Sequence, residues 1–155
     1  MPIYLTKAGR EKLIKELEDL LKRKPQVQEE IARAREHGDL KENAEYHAAK
    51  ETLTNIMRRI AELDTKINSA KIIENLNIDA DKVFIGVTVT LQDEDGDEYR
   101  YEIVDLEEAD PANNRISVQS PLVDGLLGHK AGETVEVQLP AGKAKFKIVK
   151  IESSR

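Results

Sequence analysis

Apolar side chains fall at Leu13, Leu17, Leu20, Val27, Ile31 and Ala34, a 4-3 alternation with one gap at Lys24. They recur at Tyr46, Ala49, Leu53, Ile56, Ile60, Leu63, Ile67 and Ala70, with no gap. Two apolar positions per heptad make each run a coiled-coil seam. Folding one run onto the other brings Ala34 to Tyr46, Ile31 to Ala49, Val27 to Leu53, Leu20 to Ile60, Leu17 to Leu63 and Leu13 to Ile67. The residue numbers of every pair add to 80, so the fold point is residue 40. The pattern predicts an antiparallel helical hairpin that satisfies both seams within one chain, and no partner helix is required. Pro25 deletes one backbone hydrogen bond, yet the heptad register continues across it, which predicts a bend and not a break.

The fold point reads Gly38-Asp39-Leu40-Lys41-Glu42. Gly38 is the left-handed residue expected just past a helix end, so the first helix stops near His37. Asp39, with Glu42 three residues on, is placed to cap the second helix. Capping needs only two of the four acids Glu36, Asp39, Glu42 and Glu45. Carboxylates crowded at an exposed tip repel one another unless a cation sits among them. Mg²⁺ takes carboxylate oxygens and keeps several waters, so such a tip can complete a site whose other ligands come from a partner. About 30 residues of helix reach on the order of 45 Å.

Beyond Glu74–Asp81 the heptads stop and the period changes to two. Strands are predicted at Val83–Leu91, Tyr99–Val104, Arg115–Val118, Thr134–Leu139 and Lys145–Glu152. Asp93–Asp97 and Pro140–Lys143 form turns, and Ser120–Gly128 a loop with one short helix. The fold class is α+β in two parts. Residues 1–75 form a coiled-coil hairpin with an acidic tip, and residues 76–155 a small, mostly antiparallel docking domain.

Composition narrows the function. The 155 residues include no Cys, so disulfides and Cys-type zinc sites are absent, and His37, His47 and His129 lack metal-ligand spacing. No apolar stretch approaches the length of a membrane span and no signal-peptide pattern opens the chain, so a soluble, cytoplasmic protein is expected. Aromatic content of 4% argues against an aromatic-lined small-molecule pocket. The net charge of −6 is uneven: residues 1–75 carry 15 basic and 14 acidic side chains, and the remainder 9 and 16. An acidic globular half does not suggest broad nucleic-acid binding. The arm holds one basic band, Lys22, Arg23 and Lys24 opposite Arg58 and Arg59. It reads either as an ordinary solvated surface or as a contact to a passing RNA or DNA backbone.

The stretch Glu36-His37-Gly38-Asp39-Leu40-Lys41-Glu42-Asn43-Ala44-Glu45-Tyr46-His47-Ala48-Ala49 resembles the hairpin tip of the bacterial Gre family, transcript cleavage factors of RNA polymerase. Ile116–Leu122 and Gly125–Gly128 resemble the loop of the same family's C-terminal domain, so the likeness covers essentially the whole chain. The resemblance implies an FK506-binding-protein-like domain docked beside the polymerase's secondary channel, with Ser120 and Pro121 as first contacts. It implies a coiled coil entering that channel, and Asp39 and Glu42 holding the second Mg²⁺ at the polymerase's own catalytic centre. The basic band would then lie beside the RNA 3′ end, its small size fitting the GreA branch better than the GreB branch. The protein would be a monomeric catalytic accessory and not itself an enzyme.

Other readings follow from the same residues. A channel-inserting hairpin can inhibit the polymerase by blocking substrate entry. A chaperone arm needs an apolar tip, and Leu40 is the one large aliphatic between Glu36 and Glu45. A prolyl isomerase needs clustered aromatics, and Phe84, Tyr99, Tyr101 and Phe146 are largely taken up by strand faces.

Overall fold

The computed structural model describes residues 3–36 and 43–154. The chain divides into two compact units, Arg10–Ala70 and Met1–Gly9 with Lys71–Arg155.

In the first unit, helix α1 (Lys7–Arg35, whose first turn belongs to the other unit) and helix α2 (Ala44–Ser69) form the hairpin. Every predicted seam position is buried or half-buried, led by Leu13, Val27, Ala34, Ile56, Leu63 and Ile67. Cross-helix contacts follow the same numbering. The Arg59 guanidinium meets Glu16, Arg10 donates to the Ile67 carbonyl, Asn43 to the Ala34 carbonyl, and Arg35 lies over Tyr46. These pairs add to 75, 77, 77 and 81, around the 80 of the seam. Helix α1 runs unbroken through Pro25, with Leu21, whose carbonyl that proline leaves without its i+4 donor, half-exposed to water.

One sequence expectation is corrected here. Asp39 does not cap α2. The N-cap is Asn43, whose side-chain oxygen accepts from Tyr46 N at 3.1 Å, and the helix starts at Ala44. The predicted turn at Gly38 lies outside the described residues.

The second unit is built on a five-stranded sheet. Its strands are β3 (Val87–Gln92), β4 (Glu98–Val104), β5 (Arg115–Ser117), β6 (Thr134–Leu139) and β7 (Gly142–Ser153), in the order β5-β4-β3-β7-β6. All pairings are antiparallel except β4 with β5. The short helix α3 (Pro121–Leu126) packs on β6, close enough that a Cβ on Gly125 would stand 2.7 Å from Val137 Cγ1. Val87, Val89, Leu91, Ile103, Val123, Leu126 and Ile148 are fully buried between them.

Two details differ from the period-two reading. The strand predicted at Val83–Leu91 begins only at Val87, because Gly86 turns the chain with φ 93°. Strand β7 carries a bulge: Leu91 pairs with Ile148 but Thr90 with Lys150, leaving Val149 as the extra residue. The bulge explains why core-facing Ile148 and Ile151 are three apart instead of two.

The sequence also gave no sign of a small two-stranded sheet, β1 (Ile3–Leu5) with β2 (Ala70–Ile72). Through it the first residues belong to the globular unit, although the period change lies near residue 75. The first turn of α1 is secured there by two carboxylates. Glu108 accepts from Thr6 N and from the Thr6 hydroxyl, Glu74 accepts from Lys7 N, and the Thr6 Oγ1 accepts from Gly9 N. The three backbone donors Thr6 N, Lys7 N and Gly9 N are among the four that a helix start leaves without partners, and acid there also favours the helix dipole.

Candidate functional site

Asp39 and Glu42 lie outside the described residues; what the structure provides is the frame on either side of them. On the α1 side the last turn ends with Arg35, and Glu36 N closes onto Arg33 O at 3.1 Å. On the α2 side Asn43 caps the helix. Its single amide works in both directions: Nδ2 donates to Ala34 O at 2.7 Å while Oδ1 accepts from Tyr46 N. The flanking acids Glu36 and Glu45 are exposed, and Glu45 sits in the first turn of α2.

Immediately behind the tip, Tyr46 is buried in the seam. The Arg35 guanidinium lies 5.7 Å and the Lys50 Nζ 5.3 Å from its ring centre, and the His47 ring meets it edge-on. Hydrogen bonding from Arg35, joined by the charge of Lys50, holds the phenol below its ordinary value of 10, against the opposing effect of burial. Two cations therefore converge on one ring, with no carboxylate partner among the described residues. Sequence reasoning missed this pair. The signal was present: Lys50 is one helical turn from Tyr46, and 35 and 46 add to 81.

The basic band is less uniform than its sequence suggests. Lys22 and Arg23 are exposed and Lys24 is half-buried at its seam position. Arg58 is exposed and donates to Asn55 Oδ1 at 3.2 Å. Arg59 is turned inward along the hairpin, with Nε and Nη2 on the two oxygens of Glu16 at 2.9 and 3.1 Å and Nη1 on Glu62 at 3.3 Å. Its charge is committed to the arm itself.

In the globular unit Ser120 is the N-cap of α3, accepting from Val123 N, and Pro121 occupies the first helical turn with its ring exposed. Pro suits that position because its missing N–H has no partner there. Both residues thus have a structural reason to be where they are, at the start of α3. Among the described residues no group of three or more His, Cys, Asp or Glu is arranged to hold a metal ion. No described helix is long and apolar enough to cross a membrane.

The two parts of this chain match two parts of one known family. Residues 3–72 match the N-terminal profile of transcription elongation factors, and residues 78–153 the GreA/GreB C-terminal profile. The chain belongs to the GreA/GreB family. It is 45% identical to the transcription elongation factor GreA of Chloroherpeton thalassium over 151 residues, covering 96% of each chain. It is 46% identical to the GreA of Caldanaerobacter subterraneus subsp. tengcongensis over 152 residues, covering 97% of each. Among solved structures, the GreA factor homolog 1 (Gfh1) of Thermus thermophilus is 29% identical, covering 99% of this chain and all of that one, at a TM-score of 0.45. As a GreA/GreB-family member this chain is a transcription elongation factor, with a helical hairpin followed by a β-rich domain.

Proposed function

We propose that this elongation factor inserts its hairpin into the secondary channel of bacterial RNA polymerase and stimulates cleavage of backtracked RNA at the polymerase's own catalytic centre. The observation that carries the reading is the Asn43 cap. With α2 capped by a neutral amide, neither Asp39 nor Glu42 is needed to start that helix. Two acids in the segment between the helices, without a capping task, call for another explanation, and a shared cation provides one.

The donor set suits Mg²⁺: hard carboxylate oxygens, in a chain without Cys. Asp39 and Glu42 would hold it together with polymerase ligands, since two carboxylates are too few for a site of their own. Bound there, the ion would supply the second cation of a two-metal hydrolysis, in which one cation activates the attacking water and the other stabilises the leaving oxygen of the phosphodiester. An acid at the same place can take the proton of the attacking water. The factor is then an accessory to another protein's active site and has none alone.

Arg35 and Lys50 extend the reading. Cations without a carboxylate partner among the described residues suit a phosphate backbone arriving at the tip better than Arg59, whose guanidinium is engaged by Glu16 and Glu62. Lys22, Arg23, Lys24 and Arg58 remain available further along the arm for the nascent RNA 3′ end. Docking is assigned to the globular domain, with Ser120 and Pro121 on its surface. A seam closed within one chain supports action as a monomer, in the cytoplasm where transcription takes place.

The experiment is a cleavage assay on purified polymerase stalled in a backtracked state, with and without the protein. Accelerated release of 3′ RNA fragments that are then extended supports the reading. Unchanged RNA with slowed nucleotide addition would instead make the protein a channel-blocking inhibitor.

A further inference from the structure

Asn43 is one of several residues equally able to start a helix. Ser and Asp cap about as well as Asn. What distinguishes Asn is that its side chain donates and accepts at once. Here both capacities are used, and on different helices. Oδ1 takes the Tyr46 N–H, one of the donors left over at the start of α2. Nδ2 gives a hydrogen bond of 2.7 Å to Ala34 O, one of the acceptors left over at the end of α1. Ala34 is buried and Tyr46 is buried, so both ends of this bridge rest on ordered seam residues. One amide thus ties the two helix ends across the segment from Arg35 to Glu42.

We propose that Asn43 is a positioning residue of the tip. Its Nδ2–Ala34 bond fixes the separation of the two helix ends from which Asp39 and Glu42 are carried, and so sets how well those acids serve a shared cation. This rests on the functional reading above. A cap alone would need only the acceptor; the donor is what the proposal assigns to function. Partners that orient metal ligands from behind typically change metal affinity or activity 10- to 100-fold when lost.

The test is Asn43→Ser, a neutral cap too short to reach Ala34, with Asn43→Asp as a second variant that also caps but has no donor. Four quantities are read on the full chain: amide-exchange protection of Tyr46, the carbonyl ¹³C shift of Ala34, competition for polymerase, and the Mg²⁺ concentration giving half-maximal stimulated cleavage. The expected result is a moved Ala34 carbonyl resonance, unchanged Tyr46 protection and polymerase competition, and about a tenfold higher Mg²⁺ requirement in both variants. A wild-type Mg²⁺ requirement in either variant overturns the proposal. So does a loss of Tyr46 protection in step with the loss of cleavage, because Asn43 is then a cap and nothing more. Failure of the unsubstituted chain to stimulate cleavage would be a different result, overturning the functional reading and this inference with it.

Discussion

A Cβ on Gly9 would stand 2.3 Å from the carboxyl carbon of Glu108. That carboxylate is nine-tenths buried and cannot simply swing aside. It accepts from Thr6 N and the Thr6 hydroxyl, and it pairs with Arg115, which also holds Glu102. The first turn of α1 is therefore seated on Glu108 through a gap that only glycine leaves.

Gly9→Ala is expected to destabilise the protein by about 1 to 3 kcal/mol, as overpacking does. In an unconstrained helix the same change stabilises by about 1 kcal/mol, so the sign itself is diagnostic. Urea denaturation of the full chain reads it. A gain in stability would mean that Glu108 moves away without loss.

The tyrosines should titrate in a fixed order. Tyr46 is held below 10 by Arg35 and Lys50, whereas Tyr99, whose hydroxyl donates to Asp93 at 3.0 Å, is held above 10 chiefly by that hydrogen bond. A lowered acid pKa in the folded state adds stability only as pH rises through it, so Tyr46 contributes nothing by this route at neutral pH. NMR or ultraviolet titration should find Tyr46 ionising before Tyr99. Arg35→Ala should move Tyr46 up and Asp93→Asn should move Tyr99 down. The reverse order would contradict the contacts described.

The cations divide by task. Arg35→Ala and Lys50→Ala should each weaken stimulated cleavage, with a deficit that shrinks as salt is raised, because screened phosphate contacts then contribute less to the unsubstituted protein as well. Arg59→Ala should cost no more than about 1 kcal/mol of stability, the scale of a partly exposed ion pair, and leave the salt dependence of cleavage unchanged. Equal, salt-independent losses in all three would reduce Arg35 and Lys50 to parts of the arm's packing.

How far the sequence could be read depended on whether its signal was periodic. The hairpin seam is one, and the register inferred from Leu13 to Ala70 reappears in the Arg35–Tyr46 and Glu16–Arg59 pairs. The strands were legible wherever alternation was strict, as at Thr134–Leu139. Alternation failed at Val149, because a bulge inserts a residue that the period cannot show. The pairing of Ile3–Leu5 with Ala70–Ile72 was invisible because three-residue strands carry too little pattern. The cap was misassigned because Asp39-x-x-Glu42 satisfies the local spacing as well as Asn43 does; only the helix start at Ala44 decides between them. Arg35 and Lys50 were missed because the basic band was chosen by runs of like charge, and these two residues meet only across the hairpin.

The central claim is that the tip acids serve a cation and not the fold. The most direct measurement is stimulated RNA cleavage by Asp39→Ala and Glu42→Ala on a backtracked polymerase, with helix content by circular dichroism and polymerase competition on the same samples. Because Asn43 carries the cap, the account predicts near-complete loss of cleavage, unchanged helix content and retained polymerase binding; only Asn43→Ala should show the loss of about 1 kcal/mol that removing a cap brings. Normal cleavage by both acid variants would contradict it.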